Sequence, residues 1–223
     1  MPQKPRRSDA APVATGARQR VGRGSRVEKA AARREAILAA ALDEFSARGF
    51  AATRLDDVAK RAGVAKGTIY LYFRDKEALF QELVRSMLSP LVGAIEAAPA
   101  ADMPVRAVAD MIVELFVREI YGTRRKDVIR LIIAEGPRFP SLAEFYYHEV
   151  IERVQGAMRA LLARASARGD RAPAALAKFP QLLVAPGLMA IIWNALFERF
   201  APIDAGALMR AHLDLLFGER SAP

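Results

Sequence analysis

The 223-residue chain is 52% hydrophobic and has no cysteine, so it can bury a sizeable core but forms no disulfide, thiolate nucleophile or zinc–thiolate site. Its two histidines, His148 and His212, lack ligand-like spacing, and no phosphate loop or nucleophile–base pair is present. These absences argue against an enzyme and predict neither cofactor nor metal. Net charge is +9, but residues 1–34 hold ten Lys/Arg against Asp9 and Glu28, leaving the remaining 189 residues at +1. A nucleic-acid reading therefore needs a motif as well as charge.

Residues 1–27 are rich in Pro, Gly, Ala, Ser and Arg, without aromatic residues or apolar periodicity. They are expected to form a disordered basic arm, either lying along phosphates or serving as a solubilising tail. Arg6-Arg7 precedes no apolar stretch and is not an export signal. A helix is predicted from about Val27 to Arg48, striped by Ile37, Leu38, Ala41, Leu42 and Phe45 and stopped by Gly49.

The segment from Thr53 to Lys76, TRLDDVAKRAGVAKGTIYLYFRDK, reads as two short helices joined by a tight turn, then the start of a third. Thr53 and Asp56 have capping-box spacing. Leu55, Val58, Ala59 and Ala62 make one apolar face, Gly63 stands where a left-handed residue ends a helix, and Val64 plugs the turn. In the second helix, about Lys66 to Tyr72, Ile69 and Phe73 point inward. At about 100° per residue, Gly67, Tyr70, Leu71 and Arg74 fall on the opposite arc, flanked by Thr68 and Tyr72. That outer arc suits DNA. Lys66 offers a cation, Gly67 lets a backbone approach, and Thr68, Tyr70 and Tyr72 offer hydroxyls to phosphates. Lys76 can grip one more phosphate, and Arg54 can reach a phosphate or a base. The plainer alternative is a helical hairpin with a solvated face, which two tyrosines on one short exposed helix disfavour.

The segment from Arg34 to about Leu83 resembles the DNA-binding domain of the TetR/AcrR family of bacterial transcriptional regulators. The match is carried by Ile37-Leu38, Ala41, Phe45, Gly49-Phe50, Thr53, Asp57-Val58-Ala59, Ala62-Gly63-Val64, Lys66 to Tyr70, Tyr72-Phe73, Lys76 and Leu79-Phe80. The resemblance implies a three-helix reader over 28–80, its third helix in the major groove. It aligns Thr68, Tyr70, Tyr72 and Lys76 with phosphate contacts, and Lys66, Gly67 and Leu71 with positions near base edges. Thr53 and Arg54 complete the expected DNA-binding set. It also implies an effector-binding and dimerisation domain over 81–223.

Downstream, a helix capped by Asp75 is predicted to run through Pro90 to about Glu96, physically joining reader to remainder. After a break at 97–104, helices are expected at 105–121, 125–135, 141–168 (capped by Ser141), 174–200 and 204–217. No strand alternation or repeat is found, so the fold is expected to be all-α with about nine helices. The most apolar run, Leu182 to Phe197, is too short for a confident membrane span. It is expected to pack partly on a second copy, with Leu183, Gly187, Ile191, Leu208, Leu213 and Leu216 at the homodimer interface, as the resemblance implies for the last two helices.

A small apolar or amphipathic effector is expected between the middle helices. Met111, Leu115, Phe116, Phe139, Tyr146, Tyr147, Met189 and Trp193 are candidates for lining its pocket, though each also suits plain core. Glu135 and Arg138 flank a Gly-Pro break and can meet a charged ligand group or cap helices. The function expected is that of a dimeric cytoplasmic repressor on a palindromic operator, released by its effector. An effector-independent or architectural DNA binder is the alternative, and a helical enzyme on a degenerate reader is a remote third.

Overall fold

A computed structural model describes residues 17–98, 103–167, 169 and 173–218, with side chains from Arg26 onward. The reader end comprises α1 (Ala17–Ala52), α2 (Leu55–Arg61), α3 (Lys66–Tyr72) and the long α4 (Lys76–Glu96). Then follow α5 (Val105–Leu115), α6 (Arg125–Glu135), α7 (Pro140–Tyr146), α8 (Glu152–Ser166), α9 (Ala174–Lys178), α10 (Ala185–Phe197) and α11 (Ala205–Phe217). A π-helical turn, Phe116–Tyr121, continues α5, and a second, Tyr147–Ile151, welds α7 to α8. The eleven segments thus form ten rods, and the described residues contain no strand.

The extra rod lies in the region expected as one helix over 174–200. Pro180 supplies no N–H, so the helix stops at Lys178, a 3₁₀ turn (Pro180–Leu183) intervenes, and α10 restarts with Pro186 in its first turn. Helix α1 starts ten residues before the predicted Val27, so the 17–27 part of the expected disordered arm is helical. The rest of that arm, residues 1–16, lies outside the described residues. Gly49 does interrupt α1, at φ 74°, a conformation that a side chain disfavours. Ser141 is not a cap. Phe139 holds that position, and Pro140 occupies the first turn. Asp75 does cap α4, accepting from Ala78 N–H at 2.7 Å.

Two apolar cores are stacked along α4. The first joins α1–α3 to the first four turns of α4 and to Val128, Leu131, Leu142 and Val150. The second gathers α5, α8, α10 and α11 around Val108, Ile112, Leu161, Ile191 and Leu213. The reader therefore has no private core. Phe139, from the loop before α7, stacks edge-on against Phe50 with centroids 4.9 Å apart, and Phe50 in turn meets Phe45 and Phe80.

Candidate nucleic-acid interface and effector cavity

Helix α2 ends in a Schellman motif. Val64 N–H donates to Ala59 C=O, Gly63 N–H donates to Lys60 C=O, and Gly63 has φ 67°. This turn fixes α3 against α2, with Ile69 and Phe73 buried as the spacing predicts. The polar ties to α1 are ionic. Arg61 donates to the buried Glu44 at 2.6 Å, which raises the Arg61 pKa, and Arg48 bridges to Asp57 at 3.2 Å. Orientation of α3 is thus set from below by apolar packing and from behind by charge pairs.

What α3 shows to solvent is Lys66, Gly67, Tyr70 and Leu71. Leu71 is 85% exposed and Tyr70 48% exposed, an arrangement that apolar burial within the chain does not explain. Gly67 has room for a Cβ, with nothing within 4 Å, so the fold itself does not require glycine there. Lys66 is bound to Asp56 at 2.7 Å, which raises its pKa and keeps it a cation. Arg54 is exposed at the start of α2. Thr68 and Tyr72 are half-buried, and Tyr72 packs on the core. Arg74, expected on the same arc, lies beyond the end of α3, after the extended Phe73, and pairs with Asp75 at 3.0 Å.

Two expected DNA contacts have other duties. Thr53 is 2% exposed, and its hydroxyl donates back to Glu44 C=O and Gly49 C=O. It ties off the end of α1, so the capping box does not form; Arg54 occupies the N-cap without a side-chain bond. Lys76 donates to Phe50 C=O at 2.6 Å and Ala51 C=O at 2.9 Å, with its ammonium over the Phe50 ring. It satisfies carbonyls at the end of α1. Burial lowers its pKa, against the opposing pull of Glu135.

Glu135 is the buried polar contact between the two regions, beside an exposed pair of Arg124 with Asp43 at 2.6 Å. From the end of α6 its carboxylate, 8% exposed, accepts the Phe50 N–H at 3.1 Å. A Cβ at Gly49 would overlap that carboxylate. Glu135 is therefore a helix-end partner for the reader, with Arg138 3.8 Å from its other oxygen.

Between α4, α5, α6 and α8 lies an almost wholly apolar cavity of about 110 Å³. Of the expected lining residues, Leu115, Phe116 and Tyr146 face it, while Met111 lines a separate outer cavity. Phe139 is engaged with Phe50, Tyr147 and Met189 are on the surface, and Trp193 bonds Ala201 C=O away from the cavity. Aliphatic residues such as Leu88, Val92, Ile112, Val150 and Val154 supply the rest of the wall. Burial pushes the Tyr146 hydroxyl up to about 12, so it stays protonated.

The expected dimer residues divide similarly. Leu183, Ile191 and Leu213 are fully buried in their own chain, and Gly187 is pressed so closely on Phe116 that a Cβ would overlap the ring. Leu208 and Leu216 are half-buried. The exposed apolar stripe of α10 is instead Met189, Ile192 and Leu196, continued by Phe200, with Leu215 on α11 86% exposed. No helix is long and apolar enough to cross a membrane, and no metal-holding group of His, Asp and Glu occurs, among the described residues.

An all-α chain with a rigid two-helix reader on a long connecting helix is the architecture of a helix-turn-helix transcriptional regulator. Residues 37–83 match the family described as bacterial regulatory proteins, tetR family, and residues 105–215 match the tetracyclin repressor-like C-terminal domain. The chain belongs to the TetR family, whose members are DNA-binding regulators and not enzymes. The HTH-type transcriptional regulator RutR of Escherichia coli (strain K12) is 38% identical over 89 residues, 40% of this chain and 42% of that protein. The match thus spans less than half of that relative's length. Two solved structures share the fold. FadR from Bacillus subtilis, in complex with stearoyl-CoA, gives a TM-score of 0.65 at 17% identity, over 83% of this chain and 99% of that one. GusR of Salmonella enterica gives 0.65 at 23% identity, over 82% and 94%.

Proposed function

We propose that this regulator is a dimeric repressor that binds a palindromic operator in the cytoplasm and is released by a small apolar or amphipathic effector. The observation that carries the reading is the exposed arc of α3. Lys66, Gly67, Tyr70 and Leu71 form a cation, a gap, a hydroxyl and an apolar tip on one side of a helix held rigidly from behind. In a major groove, Tyr70 and Lys66 meet phosphate or base edges, and Leu71 meets a thymine methyl. The exposed stripe of α10 supports pairing with a second copy, which sets two such helices about one DNA turn apart.

Release follows from linkage. The cavity borders α4, and α6 reaches the reader through Glu135. An effector preferring a different packing of these helices shifts the reader spacing, and weakens DNA binding only by its differential affinity for the two states.

Footprinting on DNA flanking the protein's own gene, with sedimentation to count protomers per site, tests this reading. A protected inverted repeat holding two protomers is expected. Protection spread evenly over any DNA would favour an architectural binder instead.

A further inference from the structure

Helix α1 is longer than the reader needs. Its first core residue is Ile37, yet the helix begins at Ala17, and residues 26–36 ahead of that core are exposed or half-buried throughout. The overhang has a braced root, because the half-buried Arg34 pairs with Glu82 of α4. Ala30, Ala31, Ala32 and Ala36 favour helix without any packing.

The charges of this overhang are sorted by face. At about 100° per residue, Arg26, Lys29 and Arg33 fall within an arc of about 60°, while Glu28 and Glu35 fall on the far side. All five are exposed, and none of them forms an ion pair among the described residues. A helix built only for its own stability sets opposite charges four residues apart. Lys29 and Arg33 stand at that spacing with like charge, which destabilises the free helix unless an anion lies across them. Val27 is the only large apolar side chain over 26–36, so the stretch has no apolar face to lay on a lipid surface.

The overhang leaves the reader on the side where α3 begins. Helix α2 runs antiparallel along α1, from Asp57 beside Arg48 at 3.2 Å to Arg61 beside Glu44 at 2.6 Å. The turn after α2, and with it the first turn of α3, therefore lies towards the N-terminal half of α1. In a helix-turn-helix reader, the N-terminal residues of the second helix are the ones that contact base edges.

We propose that the α1 overhang is a second DNA-binding element, its face of Arg26, Lys29 and Arg33 following the phosphates beside the bases that α3 addresses. Arg26 to Arg33 is roughly 10 Å of helix, about three base pairs of duplex rise. Three cations over that length match a phosphate backbone and no other polyanion already placed beside the reader. The element adds affinity and salt dependence but no base preference, since phosphates carry no sequence. It rests on the reading of α3 as the groove helix.

The test is fluorescence anisotropy with the full chain on duplex from the DNA flanking its own gene and on scrambled duplex, from about 50 to about 200 mM salt. Arg26→Gln/Lys29→Gln/Arg33→Gln keeps helix propensity and removes the charges. The slope of log affinity against log salt should fall by about 2–3 on both duplexes, with the ratio of the two affinities unchanged. The melting temperature should match or exceed the parent's, because the like-charge repulsion is gone. Arg26→Lys/Arg33→Lys should keep the parent slope. Arg159→Gln/Arg164→Gln, at exposed positions of α8, controls for net charge and should leave the slope nearly unmoved. A slope that the overhang variant leaves unchanged, or that the α8 variant lowers as much per charge, would overturn the proposal. Capture of phosphatidylserine vesicles that the overhang variant loses, with its DNA slope intact, would also overturn it and assign the face to lipid. The two readings fail separately. Loss of flanking-DNA preference in Tyr70→Ala, with an unmoved slope in the overhang variant, sinks the overhang alone. A lowered slope in a protein that never prefers the flanking DNA supports the overhang and sinks the operator.

Discussion

The reader and the effector region are built on opposite logics. In the reader, nearly every polar side chain that does not point outward is committed: Thr53, Glu44, Arg61 and Lys76 all tie one helix to another. What is left exposed on α3 is accordingly the surface proposed to meet DNA. In the region proposed to take an effector, the candidate site is a gap lined by aliphatic side chains. The first candidate site is made by residues and the second by the lack of them. Phe50 and Glu135 stand where the two meet.

The sharpest way to break this comparison is at that junction. Phe50→Ala should cost about 3–5 kcal/mol, because it empties a four-ring cluster drawn from both regions. Denaturant unfolding should still show one transition, since the core is shared. Two separated transitions would mean the regions are independent. Gly49→Ala comes next, at roughly 2–3 kcal/mol, combining a positive φ with overlap on the Glu135 carboxylate. Gly63→Ala isolates the backbone part. Its φ is also positive but nothing lies within 4 Å, so about 1–2 kcal/mol is expected. Equal losses at the two glycines would remove Glu135 from the account.

The difference in logic also explains what was legible in the sequence. Helix period and the Gly63 turn place Ile69, Phe73, Tyr70 and Leu71 correctly, because a seven-residue helix with two inward anchors leaves no freedom for the rest. The intramolecular bonds of Thr53 and Lys76 escape a sequence reading for one shared reason. Their roles depend on carbonyls freed where Gly49 breaks α1, and a sequence does not display unsatisfied carbonyls. The cavity was harder still. Aromatic residues and methionine attract notice as pocket linings, yet Trp193 bonds Ala201 C=O and Met189 is exposed, while Val150, Val154 and Ile112 form the wall. Likewise Leu183, Ile191 and Leu213 carry the right residue type for a dimer seam but lie on the inward side of α10 and α11, a choice made by Phe116 packing on Gly187.

Two smaller effects sharpen the reader side. Lys66→Ala should reduce the salt dependence of DNA binding by about one phosphate and weaken binding evenly across sequences. Measuring affinity at several salt concentrations checks this; an unchanged slope would mean that Lys66 stays with Asp56 in the complex. Leu71→Ala should leave folding stability within about 0.5 kcal/mol of the parent, given its exposure, while relaxing preference at one base step. Competition with operators varied at single positions reads that preference.

The central claim is that α3's exposed arc exists for DNA, and fluorescence anisotropy tests it most directly. Full-length protein and Tyr70→Ala would be titrated into DNA flanking the protein's own gene and into scrambled DNA, with melting temperatures recorded alongside. The account predicts tight binding to the flanking DNA alone, weakened about tenfold in Tyr70→Ala through loss of about 1.5 kcal/mol, with an unchanged melting temperature. Equal binding of the two DNAs, or a Tyr70→Ala variant that binds as the parent does, would contradict it.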